Sequence, residues 1–91
     1  MNDNIMNATH GINLVIECEN GTIYIGRFDE SNGFEVLLHD ADVFDPASGD
    51  DPEHWKRETA TYGVDVKHRD LRFPAAGIKG WVALGDVEKL S

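Results

Sequence analysis

The sequence predicts an all-β domain, a small, strongly bent, five-stranded antiparallel barrel. Three observations carry this expectation. Apolar residues alternate with polar ones over residues 12–19 and 34–44, the period of a half-buried strand. Turn-forming stretches separate the runs, first Asn20-Gly21 and then residues 29–33, DESNG. Gly26 interrupts the β-branched and aromatic run TIYIGRF. A glycine inside a strand marks a sharp bend or a close backbone approach, and a bend there lets one strand serve two sides of a small barrel.

The elements follow in chain order. Residues 1–11 are polar without a sustained period and predict a loose tail or a short helical turn. In INLVIECE, residues 12–19, Ile12, Leu14, Ile16 and Cys18 share the inward face of a first strand. After the Asn20-Gly21 hairpin, Tyr24, Gly26 and Phe28 share one face of a second strand, with Ile23 and Ile25 on the other. After the turn at 29–33, Phe34, Val36 and Leu38 are expected inward and Glu35, Leu37 and His39 outward. Ile23, Ile25 and Leu37 thus give a small barrel a second apolar face, which requires burial against another subunit or against the insert.

Residues 45–70 form a variable insert between strands three and four. It opens with a loop rich in turn formers and acids, 45–53. Asp51, Pro52 and Glu53 suit the N-cap, first position and first turn of a short helix, and Gly63 suits its end. The threonines of TATYGVDV also fit an extended strand. A fourth strand is placed near 71–79, with Pro74 as an irregularity, and a fifth near 81–88, with a very tight turn between them. The tail VEKLS is expected to cover an edge.

With 91 residues, the chain is one domain spanning 1–91. A core of that size is modest, and oligomerisation is a common remedy. Cys18 is the only cysteine, which points to a reducing cytoplasm rather than a disulfide framework. No apolar run reaches the length of a membrane helix, and MNDNIMNATHG lacks the basic start and apolar centre of a secretory leader. A soluble cytoplasmic protein without membrane contact is the expectation.

The net charge is −9, which opposes non-specific binding to nucleic acid. The charge is segregated. Residues 1–53 hold one base, Arg27, against twelve acids, whereas residues 56–79 hold six bases against three acids. The basic segment calls for a partner, either RNA or the acidic part of a neighbouring copy.

Little in the chain points to catalysis or to a cofactor. His10, His39, His54 and His68 are not at metal-ligand spacing. The acidic loop 45–53 lacks the alternation of a calcium site. His68-Arg69-Asp70 spells a kinase tripeptide with none of its companion motifs. Cys18 falls on an inward face, where cysteine acts as a small hydrophobe. No metal, no cofactor and no enzymatic activity are expected.

Two stretches together carry a resemblance. Gly21, Tyr24, Gly26 and Phe28, followed by a turn and by Phe34, Val36, Leu38 and Asp40, form one. Ile78-Lys79-Gly80, running into Trp81, Val82, Ala83 and Leu84, forms the other. Their order and spacing resemble the bipartite signature of the Sm and Sm-like proteins; an unrelated SH3-like barrel shares the strand logic alone. The resemblance covers roughly 12–44 and 71–88. It implies a homomeric ring of about five to seven copies, closed by edge pairing of the fourth and fifth strands of adjacent subunits. It also implies single-stranded RNA as ligand and a role in RNA metabolism, with contacts at Asn32, Phe34, Glu35, Lys79 and Gly80. Glu35 stands where the family has asparagine and accepts hydrogen bonds only. Lys79 stands where the family has arginine and lacks its planar fork. A non-enzymatic ring scaffold that binds protein partners, with the usual RNA site lost, is the alternative.

Overall fold

The computed structural model describes residues 4–90; the first three residues of the expected tail and Ser91 lie outside the described residues. Five antiparallel strands, β1 (Asn13–Cys18), β2 (Ile23–Ser31), β3 (Glu35–Phe44), β4 (His68–Pro74) and β5 (Ile78–Ala83), form one sheet. Its order is β4-β3-β2-β1-β5. A helix, α1 (Pro52–Tyr62), joins β3 to β4. Short 3-10 turns lie at Ile5–Asn7, Pro46–Ser48 and Leu84–Asp86. Among the described residues no helix is long and apolar enough to cross a membrane.

The five expected strands form one antiparallel sheet that is not closed into a barrel. β4 commits its backbone to β3 and β5 to β1, so no ladder joins β4 to β5. The turn between them is tied instead to the end of β1, through Glu19 N–H donating to the Gly77 carbonyl at 2.7 Å.

The bend comes from the middle of β2 and β3. In the register, Ile25 faces Asp42 and Arg27 faces His39, so Gly26 alone opposes Asp40 and Ala41. Such a bulge bends its strand and sharpens the twist. Asp40 takes a left-handed φ of 49°, which a short polar side chain tolerates better than most. A Cβ on Gly26 would stand 2.8 Å from the Ala41 Cβ and 3.1 Å from the His39 carbonyl oxygen, so the close approach expected of this glycine is present. The bulge also resets the alternation. Strict period two would point Asp40 inward; instead Val36, Leu38 and Ala41 share the interior, and Asp40 turns out to meet Arg27 at 2.9 Å.

Each face of the sheet carries a buried apolar cluster. On the concave face Leu14, Ile16, Phe28, Val36, Leu38 and Phe73 pack together, and Ile5 of the N-terminal turn plugs them. Tyr24 stacks on Phe73 across this interior, with ring centres 3.8 Å apart. On the convex face Val15, Ile23, Ile25 and Phe44 pack against Leu84, Trp55 and Ala60. The second apolar face is therefore covered in part by the insert, with Trp55 against Phe44 at 5.3 Å. Leu37, expected outward, is buried as well.

The helix alternative holds for the insert. The Asp51 side chain caps the Glu53 N–H at 3.0 Å, Pro52 opens the helix, and Gly63 ends it. Its threonines, which had also allowed a strand, are accommodated by donating back to the carbonyls one turn earlier, Thr59 to Trp55 and Thr61 to Arg57. The tail covers α1 rather than a sheet edge: Leu90 N–H donates to Thr61 Oγ1 at 2.9 Å, and Arg57 meets Glu88 at 2.8 Å.

Several boundaries differ from the expectation. Ile12 lies before β1 and is exposed. The second turn begins at Asn32 rather than Asp29, because Asp29 is accommodated as a bulge inside β2. The fourth strand is His68–Pro74, ending where Pro74 can donate no ladder bond. The turn then falls at 75–77, with Gly77 at φ 90°, so Ile78 and Lys79 belong to β5 and not to the end of the fourth strand, and β5 ends at Ala83, ahead of the 3-10 turn Leu84–Asp86, and not near 88.

Gly26→Ala should destabilise the protein by about 1–3 kcal/mol, the usual cost of overpacking a closed site, measured by urea unfolding. Adding Ala41→Gly should recover only part of the loss, because the backbone of His39 remains in the way.

Candidate functional site

The β2–β3 turn is held by side chains. Asn32 Oδ1 accepts from the backbone N–H groups of Phe34 at 2.8 Å and Glu35 at 2.9 Å. Ser31 Oγ donates to the Glu35 carbonyl at 2.8 Å and accepts from Gly33 N–H at 3.2 Å. Gly33 takes a φ of 92°, open to glycine at little cost. The Phe34 carbonyl accepts from Ala75 N–H at 2.8 Å, which ties this turn to the one before β5.

A cleft of about 360 Å³ lies between these turns. Gly33 and Ala75 line it from the two turns, Ile78, Lys79 and Gly80 from β5, and Asn4 and Ile5 from the N-terminal segment. Residues distant in the chain, from the β2–β3 turn and from β5, thus meet across one depression. Lys79 and Gly80 line it directly. Asn32, Phe34 and Glu35 adjoin it through Gly33, and all three are exposed.

Phe34 corrects an expectation: it is 81% exposed and not an inward residue. The Asn32 side chain captures the backbone at 34 and 35, so the ladder with β2 starts only at Val36, opposite Ser31. The Asn32 carbonyl oxygen is committed to the turn, which leaves the amide as its means of contacting a ligand. Glu35 presents a carboxylate beside the same turn.

The basic segment finds its partners within its own chain. Lys56 bridges Glu17 at 3.2 Å and Glu53 at 2.8 Å, and Arg57 meets Glu88. Lys67 lies 3.5 Å from Asp42 and 3.1 Å from Asp65, and Arg69 lies 3.8 Å from Asp40. Much of the charge segregation is consumed in docking the insert and β4 onto the acidic first half.

Sequence reasoning missed one cluster. His39 stands between two carboxylates, with Nδ1 2.7 Å from Asp70 Oδ1 and Nε2 2.7 Å from Asp29 Oδ2. These hydrogen bonds, to Asp29 first and then to Asp70, raise the pKa of His39. The bond to His39 lowers that of Asp29. Asp40 is lowered too, chiefly by its hydrogen bond from Arg27. The only sequence signal was the outward parity of His39. Asp29 was read as a turn residue and Asp70 as part of a chance tripeptide, and only the β3–β4 register, which sets His39 opposite Asp70, unites them.

Cys18 is half-buried near the end of β1, and burial raises its thiol pKa. Trp81 packs partly buried against the concave core, whereas Tyr62 is exposed at the end of α1. Among the described residues no group of three or more His, Cys, Asp or Glu side chains is placed to hold a metal ion.

Asn32→Ala should loosen the turn and destabilise the protein by about 1 kcal/mol, while Asn32→Asp, which keeps the acceptor, should retain most of the stability; urea unfolding of both variants measures the difference. No protein-family model matches the chain, and no curated protein matches it.

Proposed function

We propose that this chain is a ring-forming, non-enzymatic protein of Sm-like type that binds single-stranded RNA at the cleft between the β2–β3 turn and β5. The observation that carries the reading is the convergence of Gly33 with Ile78, Lys79 and Gly80 on one cleft, beside an exposed Phe34. Single-stranded nucleic acid is held by combining a cation for the backbone with an aromatic face for the bases. Lys79 supplies the first and Phe34 the second. Glu35 disfavours a phosphate beside the turn, so the phosphates run on the β5 side.

Ring assembly is the second part of the proposal. β4 and β5 are the two ends of the open sheet, and an uncovered strand edge is a template for pairing with another chain. Pairing β4 of one copy with β5 of the next is heterologous and closes into a ring when the rotation permits, with about five to seven copies in the present reading. A role in RNA metabolism follows from the same resemblance, and the lone Cys18 favours a reducing cytoplasm as its setting.

The internal pairing of Lys56, Arg57, Lys67 and Arg69 favours a second reading. With those cations occupied and a net charge of −9, the ring would serve as a scaffold for protein partners. A salt titration of oligouridylate and mixed-sequence RNA retention separates the two. An RNA ring should lose affinity with a log–log slope of about −0.7 per phosphate contacted; no retention at low salt would leave the scaffold.

Lys79→Glu should abolish RNA binding, and Phe34→Ala should weaken it about tenfold, within the range for one lost stacking contact. Fluorescence anisotropy with a labelled single strand measures both, and unchanged affinity in either variant removes that residue from the site. Light scattering coupled to size exclusion should give one discrete species of several subunits; a monomer would overturn the ring.

A further inference from the structure

His39 has the Cα partners Arg27 on β2 and Asp70 on the edge strand β4. Its ring reaches both ways along this row. Asp70 lies on one side at 2.7 Å and Asp29 on the other at 2.7 Å. Asp29 can reach the ring because it is the extra residue of a β2 bulge, where the register steps from Phe28–Leu38 to Glu30–Leu37. Bulges re-aim side chains in this way.

Two carboxylates set the protonation of the ring between them. An ionised carboxylate only accepts hydrogen bonds, and a neutral imidazole carries one N–H. Both short contacts are therefore made at once only by the imidazolium. After loss of the ring proton, one nitrogen lone pair faces a carboxylate and that contact becomes repulsive.

We propose that His39, held between Asp29 and Asp70, is a pH-sensitive clamp that fastens the edge strand β4 to β2 and β3 while the imidazole is protonated and loosens it when the proton is lost.

The surroundings agree with this assignment. The ring meets Asp29 from β2 and Asp70 from β4, with Arg27 as its Cα partner on β2 and Arg72 two residues beyond Asp70 on β4. On its own strand Asp40 is neutralised by Arg27 at 2.9 Å, with Arg69 at 3.8 Å. From the N-terminal segment, His10 Nδ1 lies 2.8 Å from the Asp29 carbonyl oxygen and 3.5 Å from its carboxylate. Arg72 also acts on Asp29, helping to keep it ionised.

The sign of the effect follows from the two directions of shift. His39 is raised, so its stabilisation is complete below the ordinary histidine pKa and is lost as pH rises through the higher folded value. Asp29 is lowered, so its stabilisation is present above the ordinary aspartate pKa and is lost as pH falls through the lower folded value. The clamp is closed between these limits, in the mildly acidic range, and opens on the alkaline side of the His39 transition.

The test is an NMR pH titration of the full chain at constant ionic strength, following the histidine ring signals together with exchange of the β4 amides, corrected for the intrinsic pH dependence of exchange. The expected result is a His39 midpoint clearly above the ordinary histidine value, with protection of the β4 amides falling severalfold across that midpoint. Asp70→Asn should lower the His39 midpoint and remove the pH dependence of β4 protection. His39→Gln should remove the latter as well; if that variant does not fold, Asp70→Asn carries the comparison. A His39 midpoint at or below the ordinary histidine value overturns the proposal. So does a raised midpoint with β4 protection unchanged across it. The strand concerned is one of the two edges offered for ring assembly, but neither readout depends on a ring or on RNA.

Discussion

Gly26 sits against the backbone of β3 with no room for a side chain, and the rest of the molecule is arranged around that contact. Because a single residue of β2 spans two of β3, the sheet bends and β3 changes parity at Asp40. The bend folds the sheet over its concave face, so that Tyr24 on β2 can stack on Phe73 of β4. The change of parity keeps Ala41 in the same interior as Leu38 while sending Asp40 out to Arg27. Without the bulge, a strand of ten residues would bury a carboxylate with no partner, at a cost that no nearby apolar gain offsets.

The bend also leaves a second apolar surface, and the insert covers it in part. Trp55 lies against Phe44 and Ala60 against the same cluster, with the turn at Leu84 closing one side. Small domains bury a limited share of their surface, and packing on both faces of one sheet raises that share without a partner. The same docking explains where the positive charge of the insert goes. The Lys56 side chain is only 12% exposed and bridges Glu17 of β1 to Glu53 of the helix. Cations that the sequence sets apart in one segment are engaged in holding α1 and β4 in place.

Local chemistry was legible where a single short segment decides the outcome. Asp51-Pro52-Glu53 and Gly63 bound a helix because each satisfies a backbone requirement at its own position. Asn20-Gly21 makes a hairpin for similar reasons, with Gly21 at φ 93°. Gly26 was legible as a close approach, although not what it approaches. Phe34 was not legible, because the same alternation that reads as a strand continues one residue into a turn held by the Asn32 side chain. The limits of β4 and β5 were hidden by two glycines, Gly77 and Gly80, of which only the first takes a positive φ.

The sequence by itself determined a β-rich chain with three early strands, two tight turns and an apolar set on each face of the sheet, and it offered the caps of a helix that a strand still rivalled, since these follow from period, turn chemistry and side-chain size within a few residues. The tertiary structure alone decided that the sheet stays open, that the helix covers its convex face, that Gly33 meets Lys79 and Gly80 across a cleft, and that His39 lies between Asp29 and Asp70. Each of these joins residues far apart in the chain, and which of them meet depends on strand register. A single bulge moves that register by one residue and turns every side chain beyond it to the other face.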